Sequence, residues 1–260
     1  MNDGYIVFDH AAAGAMVTSS EGTPVLNSLN ISPDHVYTND GNAPLIALLD
    51  WGVRRILDVG CGAGDNAALV KAKCPDCEVF GITRSTAEAN IAGKVMTCCW
   101  VWDIEAGLPA ELIAMKFDAI IFSHVLEHLR DPGSVLNDFS YLLQSGAAVI
   151  IAVPNALSWA MRLQFLQGDF EYQSEGVLDD THLRFFTYRT VDKYLLSKCP
   201  ELKLVSKSVT GSVPQWWMRR YLLPKRWSEA IDVMGCRLWP NLFGSQILIK
   251  AVHERSSVQE

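Results

Sequence analysis

The chain has 260 residues, 49% hydrophobic and 20% charged, which suits one large domain with a sizeable core and excludes a disordered chain. A formal net charge of -7 argues against general nucleic-acid binding, which needs clustered positive charge, and favours a small-molecule substrate. No apolar run is long enough to span a bilayer and the start Met1-Asn-Asp-Gly-Tyr5 lacks a basic region, so neither a transmembrane segment nor a targeting signal is expected.

Seven cysteines (Cys61, Cys74, Cys77, Cys98, Cys99, Cys199, Cys236) are an odd number in a long chain, which argues against a disulfide framework and reads as reduced thiols in a cytoplasmic protein. Cys74-Pro-Asp-Cys77 has C-x-x-C spacing, but no second pair with metal-ligand spacing follows it.

Residues 1–43 show no clear period and read as an irregular N-terminal segment. Ala43 to Asp50 is a short helix ended by Gly52, and Ile56, Leu57 and Val59 mark the first buried strand. Gly60, Gly62 and Gly64 then remove every side chain that would keep the backbone from turning tightly and approaching a ligand, and Asp65 caps the next helix. Such a turn at the carboxyl edge of a sheet is where open α/β folds bind ligands. A dinucleotide fingerprint needs G-x-G-x-x-G; counted from Gly60, its third glycine falls on Asp65, so the pattern departs from the NAD type.

Glu78 to Ile82 is the second strand and Ser85-Thr-Ala-Glu88 a capping box. Val95 to Val101 is the third strand, Phe117 to Phe122 the fourth, and Ala147 to Val153 the fifth, closed by Pro154-Asn155. Asp131 and Pro132 start the helix between the last two, with Pro132 where a missing N–H costs nothing. Thr190 to Lys198 is a helix, Leu202 to Val209 the sixth strand, and Leu242 to Val252 the seventh. There are no internal repeats.

The run L-D-V-G-C-G-A-G, Leu57 to Gly64, resembles motif I of class I S-adenosylmethionine-dependent methyltransferases. Ser123 to Pro132 matches a segment common in that family, S-x-V-L-E-H-L-x-D-P, and His182 to Thr187 is similar to an H-x-R-F-F-T segment of a branch associated with sugar, polysaccharide and natural-product pathways. The resemblance implies a Rossmann-like α/β domain over residues 44–252, with a seven-stranded, mostly parallel sheet carrying helices on both faces, an aromatic-rich insert at 211–240 and a tail at 253–260. Residues 1–43 would be a lid, with Phe8 or Tyr37 taking part, or packing only. S-adenosylmethionine is the implied cofactor, bound by Asp58, Gly60, Cys61, Gly62, Gly64 and Ser123, with Asp103 and Ile104 on the adenine. Thr83, beside Arg84, stands where the family places a ribose-binding carboxylate; this departure resembles the G-I-T-x-S version in cyclopropane fatty acid synthases.

Methyl transfer from a sulfonium is an in-line displacement, and a hydroxyl acceptor must also lose its proton. Histidine suits that task, and His182 is favoured over His124 as base or substrate contact; a structural hydrogen bond is the other reading of His182. Arg184 is a candidate substrate contact or, by preference, a salt bridge to Asp179 or Asp180. His124-Val-Leu-Glu-His128 spells the inverted zinc-protease motif, which a strand frame of this kind argues against. It also resembles the E-x-x-E-H ion site of some methyltransferases with His124 in place of the first Glu, a change that disfavours magnesium. No metal is therefore expected, and Glu127 and His128 read as capping and core hydrogen bonding.

Trp216, Trp217 and Tyr221 in the insert, with Trp159, Phe170 and Tyr172, read as a substrate pocket for a ring or apolar chain. Other readings of the insert are an interfacial helix on an anionic membrane, a homodimer contact, or core packing. The expected activity is methylation of a small-molecule hydroxyl in a biosynthetic pathway. The alternatives are nitrogen or carbon methylation and a cofactor-binding accessory subunit without turnover of its own; an NAD oxidoreductase is disfavoured by the glycine spacing and Thr83.

Overall fold

The computed structural model describes Val36 and residues 40–254, the side chains of Trp216, Trp217 and Arg220 excepted. In chain order the elements are α1 (Ala43–Ile46), β1 (Arg55–Val59), α2 (Asp65–Lys73), β2 (Glu78–Thr83), α3 (Thr86–Ala92), β3 (Cys98–Val101), α4 (Ala110–Ile113), β4 (Phe117–Ser123), α5 (Pro132–Ser140), β5 (Leu143–Pro154), α6 (Trp159–Leu166), α7 (Val191–Leu196), β6 (Leu202–Gly211), α8 (Trp216–Leu222), α9 (Lys225–Leu238), α10 (Pro240–Phe243) and β7 (Gly244–His253). Short 3-10 turns cover Ile104–Ala106 and Leu126–His128.

The strands form one sheet in the order β3-β2-β1-β4-β5-β7-β6. Strands β1 to β5 pair in parallel, and β7 runs antiparallel to both β5 and β6. The central strands are covered on both faces, which is why their sequences are continuous apolar runs. Leu57, Val59, Ile82, Ile120, Phe122 and Val149 belong to one core layer, while Ile56, Val79, Ala119, Ile121 and Ile150 belong to the other. Because β1 lies between β2 and β4, the chain reverses its direction of travel across the sheet there, and the crevice at the carboxyl ends of β1 and β4 is the place where such sheets take ligands.

Several boundaries move. Val95 and Met96 still donate to the carbonyl of Ala92, so β3 begins only at Cys98. Pro240–Phe243 winds into α10, which delays β7 to Gly244. The expectation that all seven cysteines are reduced is corrected: Cys74 ends α2, Cys77 N donates to Cys74 O at 3.2 Å, and this tight turn sets the two Cα atoms 5.5 Å apart, joined by a disulfide. The other five cysteines are buried and outside the disulfide.

Asn155 fastens the exit of β5 to the entry of β7. It is fully buried, its Nδ2 donates to Gly244 O at 2.8 Å and Asn241 O at 3.3 Å, and its Oδ1 accepts from Leu157 N at 3.1 Å. Truncation leaves buried polar groups without partners, so Asn155→Ala should lower the unfolding free energy by about 2 kcal/mol in urea denaturation. An unchanged midpoint would mean that this clasp does not support the β5–β7 edge.

Candidate functional site

The glycine turn after β1 is built by main-chain geometry. Gly60 and Cys61 both donate to Ile82 O, at 2.8 and 2.9 Å, and Gly60 and Gly64 adopt φ of +74° and +91°. A Cβ placed on Gly60 would lie 2.3 Å from Val125 Cγ2, so the turn also needs a bare backbone where the segment after β4 packs on it. Asp58 is fully buried one residue before the end of β1, and neither carboxylate oxygen makes a hydrogen bond of standard geometry. Burial pushes its carboxyl up to about 7; Asn66 opposes the rise and Asp65 adds to it. A buried carboxyl that no hydrogen bond of standard geometry satisfies, beside a cradle that only glycine permits, fits a ligand carrying ammonium or hydroxyl donors.

The next two strand ends depart from the sequence reading. Thr83 is buried and its hydroxyl donates to the Glu88 carboxylate in the first turn of α3. The carboxylate sought at position 83 reaches the same strand end from Glu88, which the capping-box pattern concealed; Glu88 N does donate to Ser85 Oγ at 3.3 Å. Asp103 pairs with Arg84 at 3.5 Å and caps the following turn by accepting from Glu105 N at 3.1 Å. Ile104 joins the core cluster of Phe80 and Trp100, which leaves little of it for a ring to cover.

Beyond β4 a polar network spans distant parts of the chain. Asn42 Nδ2 donates to Gln246 Oε1 at 2.7 Å and to Ser123 Oγ at 3.4 Å. His124, at φ +56°, faces Glu127 Oε1 with Nδ1 at 3.2 Å and Gln246 Oε1 with Nε2 at 2.5 Å. Burial works against charge on this ring, but the Glu127 carboxylate and the Gln246 carbonyl outweigh it and raise the pKa. Both ring nitrogens of His124 thus face acceptors, which ties the ring to Glu127 and Gln246.

His182 meets different partners. Its Nδ1 lies 3.0 Å from Val177 O, so Nδ1 carries a proton that it donates to that carbonyl. Its ring packs edge to face on His128 with centroids 4.7 Å apart. His128 Nδ1 is 2.9 Å from Thr181 Oγ1, whose own hydroxyl donates to Asp179 Oδ1 at 2.5 Å; His128 therefore also donates from Nδ1. Burial, helped by the neighbouring His182, lowers the His128 pKa against the pull of Glu127. Glu127 is fully buried with Oε2 unpartnered, and one ligand atom each from Glu127, His128 and His182 lie within 4.8 Å of one another. Glu127 and His128, set aside as capping and core residues, thus form the cluster with His182, and His124 stands outside it.

Arg184 makes no salt bridge with Asp179 or Asp180. Its guanidinium donates to Arg130 O and to Leu183 O, the latter at 3.3 Å, while Asp179 is taken up by Thr181. Among the described residues the aromatics Trp159, Phe170, Tyr172 and Tyr221 are spread over separate surroundings. Trp159 Nε1 donates to Ser212 O at 3.0 Å, Phe170 and Tyr172 are 54% and 55% exposed in a surface stack with Phe165, and Tyr221 is 88% exposed on α8. The side chains of Trp216 and Trp217 lie outside the described residues, as do Phe8 and Tyr37. Among the described residues no helix is long and apolar enough to cross a membrane.

Residues 38–196 match the family model of a methyltransferase domain. The chain belongs to this family. The sheet is the class I fold of S-adenosylmethionine-dependent methyltransferases: a methyltransferase from Archaeoglobus fulgidus described as SAM-dependent superposes with a TM-score of 0.54 at 20% identity, over 77% of this chain and 86% of that one. The plantazolicin methyltransferase BpumL, solved with S-adenosylhomocysteine, gives 0.52 at 16% identity, over 78% and 77%. In sequence, a ubiquinone biosynthesis O-methyltransferase from Paracidovorax citrulli is 29% identical over 152 residues, 54% of this chain and 58% of that protein. The chain thus spans about half the length of the curated relatives it matches.

The Asp58 site makes ligand-free stability depend on pH. Its folded pKa, about 7, exceeds the ordinary 3.8, so the group's contribution is complete below 3.8 and is lost as pH rises to about 7. Asp58→Asn should therefore gain on the ligand-free parent between about pH 5 and 7, by at most roughly 1.4 kcal/mol per pH unit. Parallel stability curves for the two proteins would show that Asp58 is not the buried acid described.

Proposed function

We propose that this chain transfers the methyl group of S-adenosylmethionine to a hydroxyl oxygen of a small-molecule acceptor in a biosynthetic pathway. The observation that carries the proposal is a juxtaposition. The glycine turn with the unpartnered Asp58 carboxylate touches, through Gly60 and Val125, the segment that presents Glu127 and His128 beside His182. The oxygen preference is supported by relatives that carry the name ubiquinone biosynthesis O-methyltransferase.

When bound, the cofactor supplies a methyl group activated on a sulfonium. The chain's own part is to bind, orient and deprotonate. Asp58 accepts from a ligand ammonium or hydroxyl, and Gly60, Cys61, Gly62 and Gly64 allow close main-chain approach. Glu88 and Asp103 are the carboxylates at the ends of β2 and β3 for ribose and adenine donors. Across the crevice, the cluster around His182 offers lone pairs toward an acceptor hydroxyl, and a positioned proton acceptor contributes on the order of 10²–10⁴-fold in rate.

Calorimetric titration with S-adenosylhomocysteine, beside NAD as a control, should show binding of the former alone. The affinity should fall at least about tenfold in Asp58→Ala, which loses a charge-assisted contact. His182→Ala should keep the parent affinity for S-adenosylhomocysteine and lose on the order of 10²-fold in kcat on a hydroxylated acceptor. No binding by the parent protein would overturn the cofactor reading. Binding without turnover on any acceptor would make the chain an accessory subunit.

A further inference from the structure

The chain between β6 and β7 carries an apolar face that the described residues leave open. In α9, Trp227, Ile231, Met234 and Leu238 follow one another at spacings of four, three and four residues, which sets them in one stripe along the helix. Each is 38–62% exposed. The other side of the helix is the one packed on the protein: Ser228, Gly235 and Cys236 are buried, and Asp232 Oδ1 accepts from Arg219 Nη2 at 2.6 Å and Val213 N at 2.8 Å. A surface helix ordinarily turns its apolar stripe to the core, so a stripe held outward marks an interaction surface. It continues beyond α9. Tyr221 and Leu222 of α8 are exposed, and so are Leu163 and Leu166 of α6. That helix is fastened to both ends of the insert, since Trp159 Nε1 donates to Ser212 O at 3.0 Å and Arg162 Nη2 to Asn241 O at 3.4 Å.

Charge decides what fits this surface. Residues 213–243 hold five basic and two acidic side chains, in a chain whose formal net charge is -7. Both acids are already paired, Glu229 with Lys225 at 3.7 Å and Asp232 with Arg219. Arg226 and Arg237 are exposed and, eleven residues apart, share one flank of the stripe. A second copy seated stripe to stripe would gather these cations against one another. An anionic lipid surface takes up the cations and the stripe together, and tryptophan and arginine beside aliphatic side chains are the composition of helices that lie in such an interface.

We propose that α8 and α9 seat this protein on an anionic membrane surface, with the α9 stripe at the level of the lipid headgroups. Strand β7 is antiparallel to both β5 and β6, so β6 ends at the same edge of the sheet as β5, the edge that holds the crevice beyond β1 and β4. Docking through the insert therefore brings that edge to the bilayer. Resting on the methyl-transfer reading, the acceptor is then an amphipathic molecule that resides in the membrane.

The test is flotation of the full-length protein with vesicles of phosphatidylcholine alone and of phosphatidylcholine mixed equally with phosphatidylglycerol. The proposal predicts flotation with the anionic vesicles only, weakened by added salt. Trp227→Gln with Leu238→Gln, and separately Arg226→Gln with Arg237→Gln, change exposed side chains and should each lower the partition coefficient at least about tenfold, with unchanged far-ultraviolet circular dichroism. No flotation, equal flotation on neutral vesicles, or flotation kept by both variant pairs would overturn the proposal. Absence of flotation together with a dimer, in sedimentation velocity, that Trp227→Gln with Leu238→Gln splits would assign the stripe to a second copy of the chain instead. Calorimetry of the same samples with S-adenosylhomocysteine separates the two ideas: flotation without nucleoside binding removes the methyl-transfer reading alone, and nucleoside binding without flotation removes the membrane surface alone.

Discussion

A single main-chain oxygen, that of Glu127, holds the site together. By accepting from the successive N–H groups of Leu183 and Arg184 it fixes the loop after α6 against the turn after β4. Each such bond contributes only about 1 kcal/mol, yet the pair determines where the His182 ring stands relative to Glu127 and His128. The same loop is anchored further on by Phe186, which is buried in the core and whose carbonyl accepts from Ala156 N at 2.8 Å. The H-x-R-F-F-T segment therefore reads physically as a display device: Phe186 goes inward, the main chain is pinned at both ends, and His182 is presented beside the strand ends.

The sheet supplies the complementary constraint. Asp58 and Glu127 are both fully buried and both carry unpartnered carboxylate oxygens, one at the end of β1 and the other just past the end of β4. Apolar layers on both faces raise the Asp58 carboxyl and deprive Glu127 Oε2 of water, so the core that stabilises the fold also makes these two positions expensive without ligands. Buried polar atoms without partners concentrate at functional sites, and here two fall on the neighbouring strand ends of one crevice. His124 completes the arrangement from outside, paired with the other oxygen of Glu127 and held in the left-handed region, a conformation uncommon for a residue with a side chain.

The sequence disclosed what depends on local pattern. The parallel strands were legible because burial on both faces demands unbroken apolar runs, and the glycine turn because positive φ and close packing demand bare positions. Contacts between distant positions were not legible. Asn42 and Gln246, 204 residues apart, bond to each other beside His124, and no spacing announces them. Glu88 hid behind its capping-box pattern, although its carboxylate meets Thr83 at the end of β2. The His124-to-His128 motif was visible, but its Glu127 and His128 gather with His182, more than fifty residues on, while His124 lies outside that cluster. Arg184 bonds to carbonyls where an acid was expected, since the nearby Asp179 already serves Thr181. Composition does not reveal which face of a helix meets solvent, and Tyr221, read as lining an aromatic pocket, is 88% exposed.

The central claim is that a hydroxyl oxygen receives a methyl group at this crevice. The most direct measurement incubates the protein with S-adenosylmethionine labelled with carbon-13 at the methyl group and with hydroxylated aromatic acceptors, and follows the label by nuclear magnetic resonance. The account predicts a labelled methoxy carbon that forms in step with S-adenosylhomocysteine. Label arriving on nitrogen or carbon, or S-adenosylhomocysteine binding with no transfer to any hydroxyl, would contradict it.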